Sequence, residues 1–120
     1  NTEKHIAKLL ESLNIKYKKQ KTFSDCKNPK TGKSLRFDFG IYDKHDSLFC
    51  LLEYDGMQHF KAIDYFGGNE ALNDTKYRDN VKNNYCKQNN IKLIRIPYWD
   101  FSNLEEVLQQ ELSEVINDGE

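Results

Sequence analysis

The sequence predicts a mixed α/β (α+β) domain, a β-sheet flanked by helices in the order αβββαβα, on three observations. Apolar residues recur at helical spacing at both ends of the chain, in "IAKLLESL" and "LEEVLQQELSEVI". Between them "LRFDFGIY" and "SLFCLLEYD", joined by the short turn "DKHD", have the look of a hairpin. A long helical segment then leads to another strand pattern, "IKLIRIPYW". At 120 residues, with 38% hydrophobic and 12% aromatic residues, the chain suits one domain over 1–120 with a modest core.

Taken in order, the first helix is expected from Glu3 to Asn14, capped by Thr2, with Ile6, Leu9, Leu10 and Leu13 as its apolar stripe. At 100° per residue Glu3 falls about 50° from the centre of that stripe and leans toward the core. "IKYKKQKTF" reads as a strand and "SDCKNPKTGK" as a loop, by its Asn-Pro and Thr-Gly steps. In "LRFDFGIY" the alternation puts Leu35, Phe37, Phe39 and Ile41 on one face and Arg36, Asp38, Gly40 and Tyr42 on the other. A polar segment from Lys61 to Asn69 precedes a helix from about Glu70 to Gln88, and Pro97 stops the last strand. Ser102 and Glu105 form a capping box for a final helix with Leu104, Val107, Leu108, Leu112, Val115 and Ile116 inward.

Charge and cysteine content narrow the function classes. No stretch approaches the roughly 20 apolar residues of a membrane span, and the opening residues do not read as a secretory h-region. Cys26, Cys50 and Cys86 form neither a metal knuckle nor an even disulfide set, so a reducing, cytoplasmic setting is expected. A start at Asn1 rather than Met is expected of a processed chain or of a fragment of a longer protein, and the fragment is preferred. Net charge is only −1, yet residues 16–36 hold eight bases (Lys16, Lys18, Lys19, Lys21, Lys27, Lys30, Lys33, Arg36) against one acid, Asp25, while residues 104–120 hold six acids and no base. Such a patch can contact several phosphates, or can be no more than a solvated lysine-rich strand.

The stretch "FCLLEYDGMQHF" places costly polar groups at the end of an apolar strand. If Tyr42 faces Ser47 across the hairpin, Asp38 lies opposite Leu51 and diagonal to Glu53, and Asp55 shares the Glu53 face. Asp38, Glu53 and Asp55 then converge, and their repulsion calls for a hard divalent cation, Mg²⁺ or Mn²⁺. His59, just beyond Gly56, can serve beside that cation as general acid or base; taken alone it is an ordinary turn histidine. His5 and His45 read as surface residues, Cys50 and Cys86 as small core residues.

With "FDFGIY", "LLEYDGMQHF", "RDNVKNNYC" and "IKLIRIPYW" in that order, the chain resembles the PD-(D/E)XK nuclease superfamily over Glu3 to Trp99. The resemblance is to the branch shared by very-short-patch-repair endonucleases and phage homing endonucleases of the EDxHD type. It implies a PD-(D/E)XK-like sheet and a metal-dependent DNA endonuclease, cytoplasmic in a bacterial or phage-infected cell. By this likeness Glu3 is the first-helix acid, Asp38 the metal-ligating hairpin aspartate and Glu53 with Asp55 the acid pair of the next strand. His59 is then the active-site histidine, and Asp79 with Lys82 the polar pair of the following helix. Helical periodicity alone prefers Asp74 to Asp79 as the inward acid; the resemblance prefers Asp79, which is carried forward. Where the superfamily has E-x-K this chain has Glu53-Tyr54-Asp55, so Gln58, His59 or Lys82 is expected to replace the strand lysine.

The partner implied is double-stranded DNA, gripped along its backbone by Lys16, Lys18, Lys19, Lys21, Lys30, Lys33 and Arg36, with a homodimer as one route to double-strand cleavage. Target choice is expected from a domain outside this chain. The alternatives are a mismatch-repair nicking enzyme and a nuclease-like module that binds without cutting.

Overall fold

The computed structural model describes residues 1–63 and 67–118, so part of the expected polar segment 61–69 lies outside the described residues. The chain runs α1 (Thr2–Ser12), β1 (Lys16–Lys27), β2 (Ser34–Tyr42), β3 (Leu48–Asp55), α2 (Gly68–Gln88), β4 (Leu93–Pro97), α3 (Leu104–Glu111) and α4 (Ser113–Asp118). The four strands form one sheet in the order β1-β2-β3-β4. β1, β2 and β3 pair antiparallel, and β4 returns parallel to β3 after the α2 crossover.

This is the mixed α/β layout expected, with local differences that have physical causes. Asn1, not Thr2, caps α1, accepting a hydrogen bond from the Lys4 amide at 2.9 Å. β1 continues through Lys27, because the ladder to β2 resumes at Lys27 and Ser34 after an irregularity. The capping box at Ser102 does not form: residues Tyr98–Asn103 make a 3-10 helix that runs directly into α3, so Ser102 sits within a helical turn. The expected last helix is two, breaking at Leu112.

Two cores sandwich the sheet. Ile6, Ala7 and Leu10 of α1 with Leu104 and Leu108 of α3 cover Phe39, Ile41, Cys50, Leu52, Ile94 and Ile96. On the other side Cys86, Val81 and Tyr85 of α2 cover Leu35, Phe37 and Leu51. The expected common face of Leu35, Phe37, Phe39 and Ile41 is therefore split, and the change of side falls at Asp38. Opposite that point on β1, the run of partners skips from Lys19–Phe39 to Lys21–Phe37, and Gln20 adopts φ +55°, a left-handed backbone that breaks strand alternation.

The hairpin register moves as well. Tyr42 pairs with Leu48 rather than Ser47, and an irregularity between Ile41 and Tyr42 then sets Ile41 against Cys50 and Phe39 against Leu52. The two one-residue displacements preserve the facing and carry the Asp38 position along β3 from Leu51 to Glu53. Gly40, beside the switch, is buried, and a Cβ there would come within 3.3 Å of the Lys21 side chain.

Candidate functional site

At the end of the β2–β3 hairpin a cavity of about 250 Å³ is lined by Asp38, Glu53, His59, Asp79 and Lys82, with Gln58, Thr75 and Arg78 at its margin. Each comes from a different local rule. Glu53 alternates out of the Leu52 core toward α2 and is 3% exposed. Asp38 sits where β2 changes side, so it meets groups from both layers of helices. On α2, Thr75, Asp79, Lys82 and Cys86 follow each other at spacings of three and four and share the inward face; Thr75 and Cys86 are buried. Asp74 is exposed, so Asp79 is the inward acid. His59 ends the 3-10 turn Met57–His59 that leaves β3.

Asp38 accepts a hydrogen bond from the Tyr54 amide at 2.8 Å. Burial, and then the charge of Glu53, push its carboxyl up to about 6, and the two carboxyls line the same cavity. Glu3 joins them from α1: Gln20 donates to its Oε1 at 2.7 Å, and burial followed by the charge of Asp38 raises its carboxyl. Lys82 Nζ donates to Glu53 Oε1 at 2.5 Å and lies 5.3 Å from the centre of the Phe37 ring.

A second group adjoins the first. His59 Nδ1 is 2.8 Å from Asp79 Oδ2 and 3.6 Å from Asp55 Oδ1. Arg95 of β4 donates from Nη1 to Asp55 Oδ1 at 2.9 Å and from Nε to Asn83 Oδ1 at 3.0 Å, with Nη2 3.5 Å from Asp79 Oδ1. The hydrogen bond to Asp79 raises the His59 imidazolium above its ordinary range despite burial. Burial lifts the Asp55 carboxyl, with Arg95 opposing, while at Asp79 the His59 hydrogen bond and the Arg95 charge outweigh burial and hold the acid low.

The three carboxylates expected together thus divide: Asp38 and Glu53 stay in the cavity with Glu3 beside them, and Asp55 turns to Arg95. Among the described residues no group of three or more acids, histidines or cysteines is arranged to hold a metal ion. Two adjoining carboxyls, one of them repelled by the other's charge, do fit a hard divalent cation, which commonly takes one or two carboxylates and completes its shell with water and phosphate oxygens. Arg95 is the site residue that sequence reading missed. Its signal was faint, since a charge between Ile94 and Ile96 is what alternation puts on a strand's outer face.

The basic residues distribute along the β1 edge. Lys16 pairs with Asp46 at 2.9 Å, Lys18 and Lys21 lie over the Tyr42 ring, and Lys30 lies 4.1 Å from the centre of Tyr77 on α2. Lys19 comes close enough to Glu3 to oppose the rise of its carboxyl, and Lys33 and Arg36 are exposed. Next to His59, the Phe60 ring lies 4.9 Å from Trp99 at a 48° tilt, and Trp99 is 60% exposed. His5 and His45 are exposed, and Cys26, Cys50 and Cys86 are buried free thiols.

No family model and no solved structure matches the chain. It is similar to uncharacterized protein 307L of Invertebrate iridescent virus 6, 42% identical over 74 residues, which cover 60% of this chain and 38% of that protein. Uncharacterized protein 094L of Frog virus 3 (isolate Goorha) is 40% identical over 73 residues, covering 59% and 44% of the two chains. Uncharacterized protein 033L of Invertebrate iridescent virus 3 is 36% identical over 73 residues, covering 60% and 36%. The match thus spans about two fifths of these relatives. No described helix is long and apolar enough to cross a membrane.

Proposed function

We propose that the chain is the catalytic domain of a divalent-metal-dependent DNA endonuclease with a PD-(D/E)XK-type sheet, related to the very-short-patch-repair and EDxHD homing branch. The observation that carries this reading is the Asp38–Glu53 pair, two carboxyls lining one polar cavity that also holds His59 and Lys82. Asp38 and Glu53 would hold Mg²⁺ or Mn²⁺, which when bound supplies a polarised phosphodiester and a more acidic attacking water.

The remaining steps belong to the chain's own groups. Lys82 steadies Glu53 from the helix side and brings to the cavity the cation that the E-x-K pattern carries on the strand. Asp79 engages His59 Nδ1, which leaves Nε2 to take or give the proton of water or leaving group. Glu3, tethered by Gln20, adds negative charge beside Asp38. Lys18, Lys19, Lys21, Lys30, Lys33 and Arg36 line the approach along β1 and the loop after it, where they would grip phosphates of double-stranded DNA without reading bases. The Phe60–Trp99 pair offers a stacking surface for a base near the cut. A cytoplasmic location, a target-reading segment elsewhere in a longer protein and a homodimer for double-strand cleavage complete the proposal.

One observation favours a module that binds and does not cut: Lys82 already engages Glu53 at 2.5 Å, as a structural ion pair would. Nicking of supercoiled plasmid in Mg²⁺, in chelator, and by Asp38→Asn separates the two. The nuclease reading expects cleavage in Mg²⁺ only and none by Asp38→Asn; a folded wild-type protein that binds plasmid and leaves it intact in both Mg²⁺ and Mn²⁺ overturns it. Cleavage confined to duplexes carrying a mispair would mark the mismatch-nicking alternative.

A further inference from the structure

We infer that Arg95 is the positioning residue of this site: by clamping Asp55 and Asp79 on either side of His59, it holds the imidazole with Nδ1 on Asp79 and Nε2 free for the cavity. What His59 then does rests on the nuclease reading above; how it is held rests on geometry alone.

Three elements meet at this guanidinium. Arg95 is in register with Glu53 across the parallel β3–β4 ladder, which sends its side chain to the α2 side of the sheet. There Nη1 holds Asp55 from β3, Nε holds Asn83 from α2, and Nη2 faces Asp79 from α2. Both acids within reach of His59 Nδ1 are thereby fixed by one planar fork. The geometry is graded: Asp55 is drawn toward Arg95 and stands 3.6 Å from the imidazole, while Asp79 keeps the direct hydrogen bond at 2.8 Å. Without the guanidinium, two carboxylates in a poorly solvated spot would repel each other and compete for the same ring nitrogen. A lysine could answer the charge but not three directions at once. Nη2 is buried with no hydrogen-bond partner, so the clamp on Asp79 acts through charge at 3.5 Å and leaves Asp79 Oδ2 for the histidine.

The test reads His59 directly. NMR of the ¹⁵N-labelled imidazole, at a pH above its titration, should show the Nδ1–H tautomer in the wild-type protein, with one sharp, slowly exchanging Nδ1–H resonance. In Arg95→Met the Nδ1–H resonance should broaden or vanish as the ring moves between the two carboxylates, and single-turnover nicking of supercoiled plasmid in Mg²⁺ should fall by about 10²-fold, the cost of misplacing a reacting group, at unchanged plasmid affinity. A folded Arg95→Met protein that keeps the wild-type Nδ1–H resonance and its exchange rate overturns the inference. Should Arg95→Met fail to give native near-UV circular dichroism, Arg95→Lys takes its place: a broadened or lost Nδ1–H resonance supports the clamp, a wild-type resonance overturns it. A wild-type protein that cuts no DNA would sink the nuclease reading, while the Nδ1–H comparison would still decide the role of Arg95.

Discussion

Because burial and the neighbouring Glu53 carboxylate push Asp38 from 3.8 to about 6, its ionisation works against the folded state. The sign follows from linkage: a carboxyl held above its unfolded value favours folding while protonated, and that advantage is lost as pH rises from about 4 through about 6. In chelator, Asp38→Asn should therefore be more stable than wild type at pH 8, by roughly 1–2 kcal/mol, with the difference closing at pH 4; denaturant unfolding at the two pH values measures it. Saturating Mg²⁺ or Mn²⁺ should raise the wild-type thermal midpoint and leave that of Asp38→Asn unmoved, since only the native carboxyl pair offers a site. His59→Ala should lower single-turnover cleavage by about 10²- to 10⁴-fold, while the metal-induced midpoint shift persists. Loss of that shift would instead make His59 a ligand, and an unchanged rate would remove it from the mechanism.

Leu51 and Leu52 are adjacent in β3, both fully buried, and belong to opposite cores. Truncation to Ala at either should cost about 2–5 kcal/mol, but the damage should appear in different elements. Native-state hydrogen exchange should quicken in α2 for Leu51→Ala and in α1 and α3 for Leu52→Ala. Cleavage should suffer more from the former, because α2 presents Asp79 and Lys82; the same amides opening in both variants would contradict the two-core description. The order of these elements was legible in the sequence because helical and alternating patterns survive without tertiary context. The hairpin register was not, since the irregularity at Ile41–Tyr42 and the left-handed Gln20 leave no mark in residue type. Nor was the polar strip of α2: Val81 and Tyr85, which pack on the second core, drew the periodicity toward Asp74, while the strip toward Glu53 is polar because its counterpart is a carboxylate. Arg95 stayed hidden for the same reason, as a charge whose partners are three separate side chains on β3 and α2.

Over the whole molecule the net charge of −1 conceals a division between a basic edge at β1 and the acid-rich C-terminal end. If Lys18 and Lys21 grip phosphates, changing both to Ala should flatten the salt dependence of DNA binding by about one unit of log-log slope for each lysine replaced; an unchanged slope returns them to solvent. β1 is also an edge strand twelve residues long, mostly exposed, with one side of its backbone ladder unpaired in the sheet. An edge of that length is a template for adding another strand, and its lysines are what discourage the addition, because a second copy laid alongside would set like charges opposite one another. Substitutions made to weaken DNA binding therefore also remove a safeguard against self-association. Lys18→Ala/Lys21→Ala should elute earlier than wild type in size-exclusion chromatography, at protein concentrations where the wild type stays monomeric, and any dimer formed for cutting both strands would have to join through another surface.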